Sequence, residues 1–263
     1  MHEKSVLGIG EEQCCGCGAC NQVCPQGCID RAENQRGFIL PSVDANKCIN
    51  CGLCRKVCPE CNVSDKNSIG SAYIAKAAEF DIQKKSTSGG IFSLLAEEVL
   101  KNNGIVYGCA WTDDLIARHI RVESIEGLAG LRQSKYVQSD TADTFREAQK
   151  DLQAGRIVLY CGTGCQLAGL KNVVGDNNQL ILVEVACHGV PSTGLFREYI
   201  KWIKEKSGKQ VASYQFRNRK KHKKGEHYQL RIKFADGSEE YRYSAFDPYY
   251  ASFIAGRTLR KTC

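Results

Sequence analysis

No run of apolar residues in this 263-residue chain approaches the ~18 that a membrane-spanning helix needs. The longest, "LILVEVA" and "RIVLY", are strand-sized, so a helical span is excluded. The start, "MHEKSVLGIGEEQ", is polar and has no apolar core of the secretory kind, which argues against an oxidising compartment and a disulfide framework. Basic residues are not interleaved with aromatic ones in the manner of RNA-binding surfaces, so no nucleic-acid partner is expected. Neither a Ser-His-Asp arrangement nor a working pair of carboxylates stands out. These absences leave a cytoplasmic, soluble chain in which thiols stay reduced.

Thiols are what the chain has in excess. It holds 16 cysteines, and 11 of them precede residue 62. The run "CCGCGACNQVCP" reads Cys14-x2-Cys17-x2-Cys20-x3-Cys24-Pro25, and "CINCGLCRKVCP" repeats it as Cys48-x2-Cys51-x2-Cys54-x3-Cys58-Pro59. Thiols so close together cannot staple distant chain, which disfavours disulfides. Zinc sites usually pair two Cys-x2-Cys knuckles across a longer spacer. Three evenly spaced cysteines and a fourth followed by proline is instead the bacterial ferredoxin pattern. Cysteines at i, i+3 and i+6 can wrap three corners of a cubane, with Gly16, Gly18 and Gly52 supplying backbone freedom. In that pattern the fourth cysteine of each run serves the other cluster. One [4Fe-4S] cluster is therefore expected on Cys14, Cys17, Cys20 and Cys58, and a second on Cys48, Cys51, Cys54 and Cys24. Cys15 breaks the register and reads as a bystander. Cys28 and Cys61 read as small buried residues or spare ligands. The segment between the runs has the length of a hairpin and return loop.

The formal charge of +7 overstates the loaded protein. Two clusters of about −2 each would leave about +3. The one like-charged block, "RNRKKHKKGEH" (Arg217 to His227), is either a solvated loop or a dock for an acidic partner or anionic cofactor tail.

Past Cys61 the composition turns polar, and a domain boundary is expected near residues 65–75. The fold class that follows is an α+β ferredoxin-like two-cluster domain (1–70), then an α/β domain with a mainly parallel sheet (71–263). Residues 91–102 have helical apolar spacing, with Ser86, Thr87 and Ser88 offering caps. "GIVYGCAW" reads as a strand, and a second helix is expected over about 140–154. Strand, turn and helix then occur twice, in "RIVLYCGTGCQLAGL" and "LILVEVACHGVPSTGLFREYI". Ser88-Gly89-Gly90 at a helix N-terminus suits a phosphate or is simply a tight turn. Cys165 and Cys187 each lie just past the C-terminal end of a strand, the edge at which parallel sheets bind ligands. Cys109 and Cys161 read as core thiols. "YQLRIKFADGSEEYRY" reads as a hairpin about Asp236-Gly237.

Together "STSGGIFSLLAEEVL", "LRQSKYVQSD", "GTGCQLAGL", "CHGVPS" and "LRKTC" resemble the beta subunits of coenzyme F420 (5-deazaflavin) hydrogenases and dehydrogenases. The resemblance covers nearly the whole chain. It implies FAD and commonly a further [4Fe-4S] cluster in the C-terminal domain, with FAD passing electrons between clusters and a deazaflavin such as coenzyme F420. By motif, Ser88, Gly89 and Gly90 fall on the flavin-binding turn. Ser134, Lys135 and Tyr136 fall on a second cofactor-side segment, and Gly162 and Thr163 on the turn before Cys165. Cys165, Cys187 and Cys263 would be third-cluster ligands. Cys263 matches the first of a Cys-x2-Cys pair, so the resemblance implies a chain incomplete at its C-terminus. The family's Gly-Thr-Pro-Cys-Gln is here Gly162-Thr163-Gly164-Cys165-Gln166, which is expected to loosen that turn. The implied function is a flavin-dependent iron–sulfur oxidoreductase working with a redox partner protein or in a larger complex. His188 is expected to position or pack, not to catalyse. The alternatives are an electron carrier without flavin and, further off, a zinc-bound nucleic-acid binder.

Overall fold

The structure, a computed structural model, describes residues 5–62, 70–218 and 229–263. Most of the basic block after Asn218, and residues 65–69 of the expected boundary, lie outside the described residues.

The front part repeats itself. The first cysteine run leads into α1 (Ala19–Val23). The hairpin of β1 (Ile29–Glu33) and β2 (Ile39–Val43) follows, pairing Ile29 with Val43 and Glu33 with Ile39. The second run leads into α2 (Leu53–Lys56). At two and four residues past Cys14 stand Gly16 (φ 63°) and Gly18 (φ 81°); past Cys48 the same places hold Asn50 (φ 54°) and Gly52 (φ 79°). Both loops thus turn left-handed at the same steps, which glycine does freely and asparagine more readily than most residues. The centre of this unit is largely sulfur: Cys20, Cys28 and Cys54 are buried with Val6 and Ile29, and Cys24, Cys48 and Cys58 pack against them.

The rest of the chain runs α3 (Phe80–Lys85), α4 (Ile91–Lys101), β3 (Ile105–Trp111), β4 (Ala117–Val122), α5 (Leu128–Leu131), α6 (Thr144–Gln153), β5 (Val158–Thr163), α7 (Gly164–Val174), β6 (Leu180–Val185), α8 (Thr193–Ser207), β7 (Val211–Asn218), β8 (Gln229–Phe234), β9 (Glu239–Tyr243) and α9 (Pro248–Ile254). Strands β4-β3-β5-β6 form one sheet. β3, β5 and β6 are parallel, as the strand–helix alternation predicts, whereas β4 is antiparallel to β3. Only five residues join those two, too few for a crossover. The expectation of a mainly parallel sheet also misses a second sheet, β7-β8-β9, which is wholly antiparallel. The hairpin about Asp236-Gly237 is its β8–β9 half. The first sheet is therefore mixed, and the described residues form three sheets: the β1–β2 hairpin, this mixed sheet and the antiparallel β7-β8-β9.

Alternation along the strands divides the core. Ile105, Tyr107, Val158 and Tyr160 face Phe145, Ala148 and Leu152 of α6 and Leu167 and Leu170 of α7. Val106, Ala110 and Leu159 face α4 and α5 on the other side. α4 begins where its apolar spacing predicts, but not with the predicted cap. Gly90 is its N-cap, and the Ser86 hydroxyl instead donates to the carbonyl of Ile82 at 2.7 Å.

Cys15, Cys17, Ala19 and Val57 of the front part belong to the same core as α6 and α7. Polar contacts fix the seating. Buried Gln22 accepts from the backbone N–H of Phe145 (2.7 Å) and of Arg146 (3.3 Å), which are unpaired donors of the first turn of α6. Gln138 matches its amide to the backbone of Ile39 in both directions, at 2.8 and 2.7 Å. Thr141 donates to the carbonyl of Cys17 at 3.0 Å, and Arg31 pairs with Asp140 at 2.7 Å. Gly194 donates to the carbonyl of Gly37 at 3.0 Å, and a Cβ on Gly194 would lie 2.7 Å from Gly37 Cα.

Gln22→Leu keeps the volume and removes the acceptor. It should destabilise the protein by about 1–3 kcal/mol, the cost of leaving a buried donor unpaired. Denaturant unfolding of wild type and variant measures it; an unchanged midpoint would show that Gln22 does not hold the two parts together.

Candidate metal centres

The front thiols gather in two groups, with Cys17 apart from both, buried with Cys15 in the core of α6 and α7 and lying against Gly169. One cavity is lined by Cys24 of the first run and by Cys48, Cys51 and Cys54 of the second, with Cys28 beside them. Cys24 and Cys28 sulfurs are 3.4 Å apart, so Cys28 is a fifth thiol at this site. On the other side Cys20 faces Cys14 and Cys58 as well as Cys54, and burial first, then those neighbours, push its thiol up to about 12. Burial likewise pushes Cys58 up to about 11, with Cys61 beside it. Backbone N–H groups point at sulfur: Gly16 donates to Cys14 at 3.4 Å, and Val6 donates to Cys54.

Among the described residues, no three His, Cys, Asp or Glu side chains converge so as to hold a single metal ion. A cubane is a larger body than one ion, and thiols spread around a cavity suit it better than they suit zinc. The residues present therefore fit iron–sulfur clusters.

A second gathering of thiols lies at the carboxyl ends of β5 and β6. Cys165 is the second residue of α7, whose start is held by a capping box: Thr163 N–H donates to Gln166 at 3.1 Å, and Thr163 and Gln166 also bond through their side chains. The turn is thus ordered although Gly164 replaces the family's proline. Thr163 Oγ1 lies 3.2 Å from Cys165 Sγ. The Cys165 thiol is held neutral first by its hydrogen bond with Cys15 and then by burial. Cys187 takes the N–H of Gly189 at 3.4 Å and faces Cys165 and Cys263. Arg260, only 6 % exposed, donates to Cys263 Sγ at 3.5 Å and to Thr262 at 3.0 Å. Sequence reasoning passed over Arg260 and left Cys15 aside.

The residues expected on a flavin are partly drawn together. Ser134 N–H donates to Thr87 Oγ1 at 3.1 Å, joining the segment of Ser134, Lys135 and Tyr136 to that of Ser88, Gly89 and Gly90. The glycine turn, however, is filled by the chain itself. A Cβ on Gly89 would lie 2.5 Å from the carbonyl of Ala75, and Gly89 accepts from Ala77 N–H at 2.7 Å. Gly90 (φ 85°) packs on Ile82. A phosphate does not fit that turn as it stands here. Lys135 Nζ donates to the carbonyls of Gly130 (2.9 Å) and Arg132 (3.0 Å), closing the end of α5. Tyr136 stacks on Phe253 at 5.0 Å. Gly162 and Thr163 stand beside Cys165. His188 packs edge-on against Phe253, as a packing residue does.

Comparison with known proteins gives a match for each of two parts of the chain. Residues 13–62 match the family described as a 4Fe-4S dicluster domain, so the chain is an iron–sulfur protein. Residues 155–263 match the family described as the C terminus of the beta subunit of coenzyme F420 hydrogenase/dehydrogenase. The C-terminal part of the chain is thus similar to the corresponding part of coenzyme F420 hydrogenase/dehydrogenase beta subunits. No curated protein matches it. Among solved structures, a chain of the F420-reducing [NiFe] hydrogenase complex from Methanosarcina barkeri, determined with xenon derivatization, is similar at 17 % identity and a TM-score of 0.46. The match covers 69 % of this chain and 62 % of that one, so this chain spans about three fifths of that relative's length.

One titratable group beside these sites lends itself to a test. His119 of β4 is buried, stacks on Tyr160 at 5.4 Å and has Nε2 3.1 Å from the carbonyl of Cys161. Burial lowers its pKa from 6.5 to about 4. Between those values the unfolded chain binds the proton and the folded one does not. The contribution of His119 is complete above pH 6.5 and is lost as pH falls toward 4, by up to about 3 kcal/mol. His119→Gln should flatten the pH dependence of unfolding in that window; identical slopes for the two proteins would count against the buried neutral imidazole.

Proposed function

We propose that this protein is an iron–sulfur electron-transfer subunit of a larger, F420-hydrogenase-like oxidoreductase complex. The observation that carries this reading is the pair of backbone-equivalent loops that bring Cys24 into one cavity with Cys48, Cys51 and Cys54 while Cys20 faces Cys14 and Cys58. Cys14, Cys17, Cys20 and Cys58 would hold one [4Fe-4S] cluster and Cys24, Cys48, Cys51 and Cys54 the other. Bound there, the clusters supply one-electron transfer. The chain's own part is to gather the thiols, to aim Gly16 and Val6 N–H groups at sulfur, and to keep water from Cys20 and Cys54. Thiols whose pKa is raised by burial give up protons only to metal, so cluster insertion releases protons and is favoured by higher pH. Among the described residues no helix is long and apolar enough to cross a membrane, which suits a subunit that docks on protein.

A finer reading follows from the family: FAD in the α/β part, exchanging hydride with a coenzyme such as F420, and a third cluster on Cys165, Cys187 and Cys263. The bond between Thr87 and Ser134 supports the flavin part by joining its two segments; the filled turn at Gly89 opposes it and favours an electron carrier without flavin.

Two measurements separate these. Cys54→Ala should remove about four irons and leave the other front site loaded; loss of no iron would refute the assignment. Acid treatment of anaerobically purified protein should release FAD in stoichiometric amount if the flavin reading holds, and none if the chain is only a carrier.

A further inference from the structure

The second cysteine site has one thiol more than a cubane has corners. Cys28, four residues past Cys24, is 3 % exposed and lines the same cavity as Cys24, Cys48, Cys51 and Cys54. Its Sγ lies 3.4 Å from that of Cys24, which is only half-buried. The chain between them turns back on itself: Gly27 (φ 56°) donates its N–H to the carbonyl of Cys24 at 3.3 Å. That conformation favours glycine and brings the next residue back to Cys24. Cys28 is held from its other side as well. Its carbonyl accepts the N–H of Asp44 at 2.8 Å, and the carbonyl of the adjoining Ile29 accepts from the Asn21 amide at 2.5 Å. The turn and the end of the β1–β2 hairpin therefore fix both sulfurs at one place on the cavity.

Two sulfurs in contact cannot serve two corners of one cubane. A cubane takes one thiolate at each of its four irons, and those irons face outward in different directions, so touching sulfurs compete for a single corner. Cys48, Cys51 and Cys54 supply three corners in the assignment above, which leaves one for the pair. Cys24 fits the spacing pattern, and Cys28 reaches the same corner from a drier position. The neighbours of Cys28 are those of a ligand: Val6 and Ile29, which keep water away, and the sulfurs of the site.

We propose that Cys24 and Cys28 are alternative ligands of the same iron corner, so that Cys28 keeps the second cluster whole when Cys24 lets go. The proposal rests on the reading of this chain as a cluster protein and deepens its second site. The exchange needs no other reagent. Cys24 gives up its bond to iron as Cys28 forms one, and the proton of Cys28 passes to the freed sulfur of Cys24, 3.4 Å away. Iron keeps its oxidation state and the site its charge. Water reaches half-buried Cys24 far more readily than Cys28, so a corner opened at Cys24 closes again from the dry side. Cys28 is thus neither a packing residue nor an idle thiol but the reserve of one corner.

The test is iron and acid-labile sulfide in the anaerobically reconstituted 263-residue chain, with EPR spectra, for wild type, Cys24→Ala, Cys28→Ala and the double variant. Each single variant should keep the wild-type iron count, because the other thiol takes the corner. The double variant should lose about four irons, or about one with the oxidised-state signal of a three-iron cluster. A single variant that loses as much iron as the double one, or shows the same three-iron signal, would overturn the exchange while the two-cluster reading stood. A double variant that keeps every iron would overturn it too, since neither thiol would then hold the corner. Wild type that binds no iron would undo the cluster reading, and this inference with it. Far-UV circular dichroism checks that the variants fold. Where a single variant does not, top-down native mass spectrometry of loaded wild type treated with iodoacetamide decides: a label on Cys24 in chains that keep all their iron supports the exchange, and no label there overturns it.

Discussion

Residue 169 has no side chain, and the architecture depends on that. A Cβ on Gly169 of α7 would lie 3.0 Å from Cys17 Sγ and 3.2 Å from Ala19 Cβ, so the first cysteine loop rests directly on the helix backbone. This close approach seats the loop against the middle of α7. The amides of Gln22 and Gln138 then complete hydrogen bonds that backbone would otherwise make. The front part is consequently not a bead on a linker. It shares one hydrophobic core with α6 and α7 and presents its thiols to those of the sheet edge.

The fold was legible wherever the determining interactions were local. Cysteine spacing is dictated by the bite of a cluster, so the pairing of Cys24 with the second run could be read directly. Apolar runs marked β3, β5 and β6, helical spacing marked α4, and the strand–turn–helix order marked α7 and α8. Asn50 could have been read too, because it stands at the offset from Cys48 that Gly16 keeps from Cys14. The Thr163-x-x-Gln166 capping box was likewise present in the sequence and answers the concern raised by Gly164. What could not be read depends on contacts between distant residues. β4 joins the sheet backwards because its loop is short, and β7 finds β8 across a long connection. The meeting of Cys15 with Cys165, and the burial of Arg260 among sulfurs, belong to tertiary packing alone. The Ser88–Gly90 turn shows the opposite case, in which a local pattern suited to phosphate is filled by residues 75–77.

The site residues divide along the same line. Of the eight ferredoxin-type cysteines, Cys24, Cys48, Cys51 and Cys54 line one cavity and Cys20 faces Cys14 and Cys58, while Cys17 is buried against α7. Lys135, placed by resemblance on a cofactor-side segment, is tied to the carbonyls that end α5. Its ammonium serves a helix terminus, where a cation is favoured by the exposed carbonyl dipoles.

The two cysteine runs repeat in backbone but not in surroundings. Cys51 is exposed, with Ile49 and Leu53 open to solvent on either side, whereas Cys17 lies sealed beneath α7. Water around a ligand sulfur and a buried positive charge nearby both alter how readily iron accepts an electron. Cubanes held in these two settings, as proposed, would acquire unequal midpoint potentials. A duplicated motif would thereby become a graded pair, with a wet terminal at the outer surface and a dry one toward Arg260.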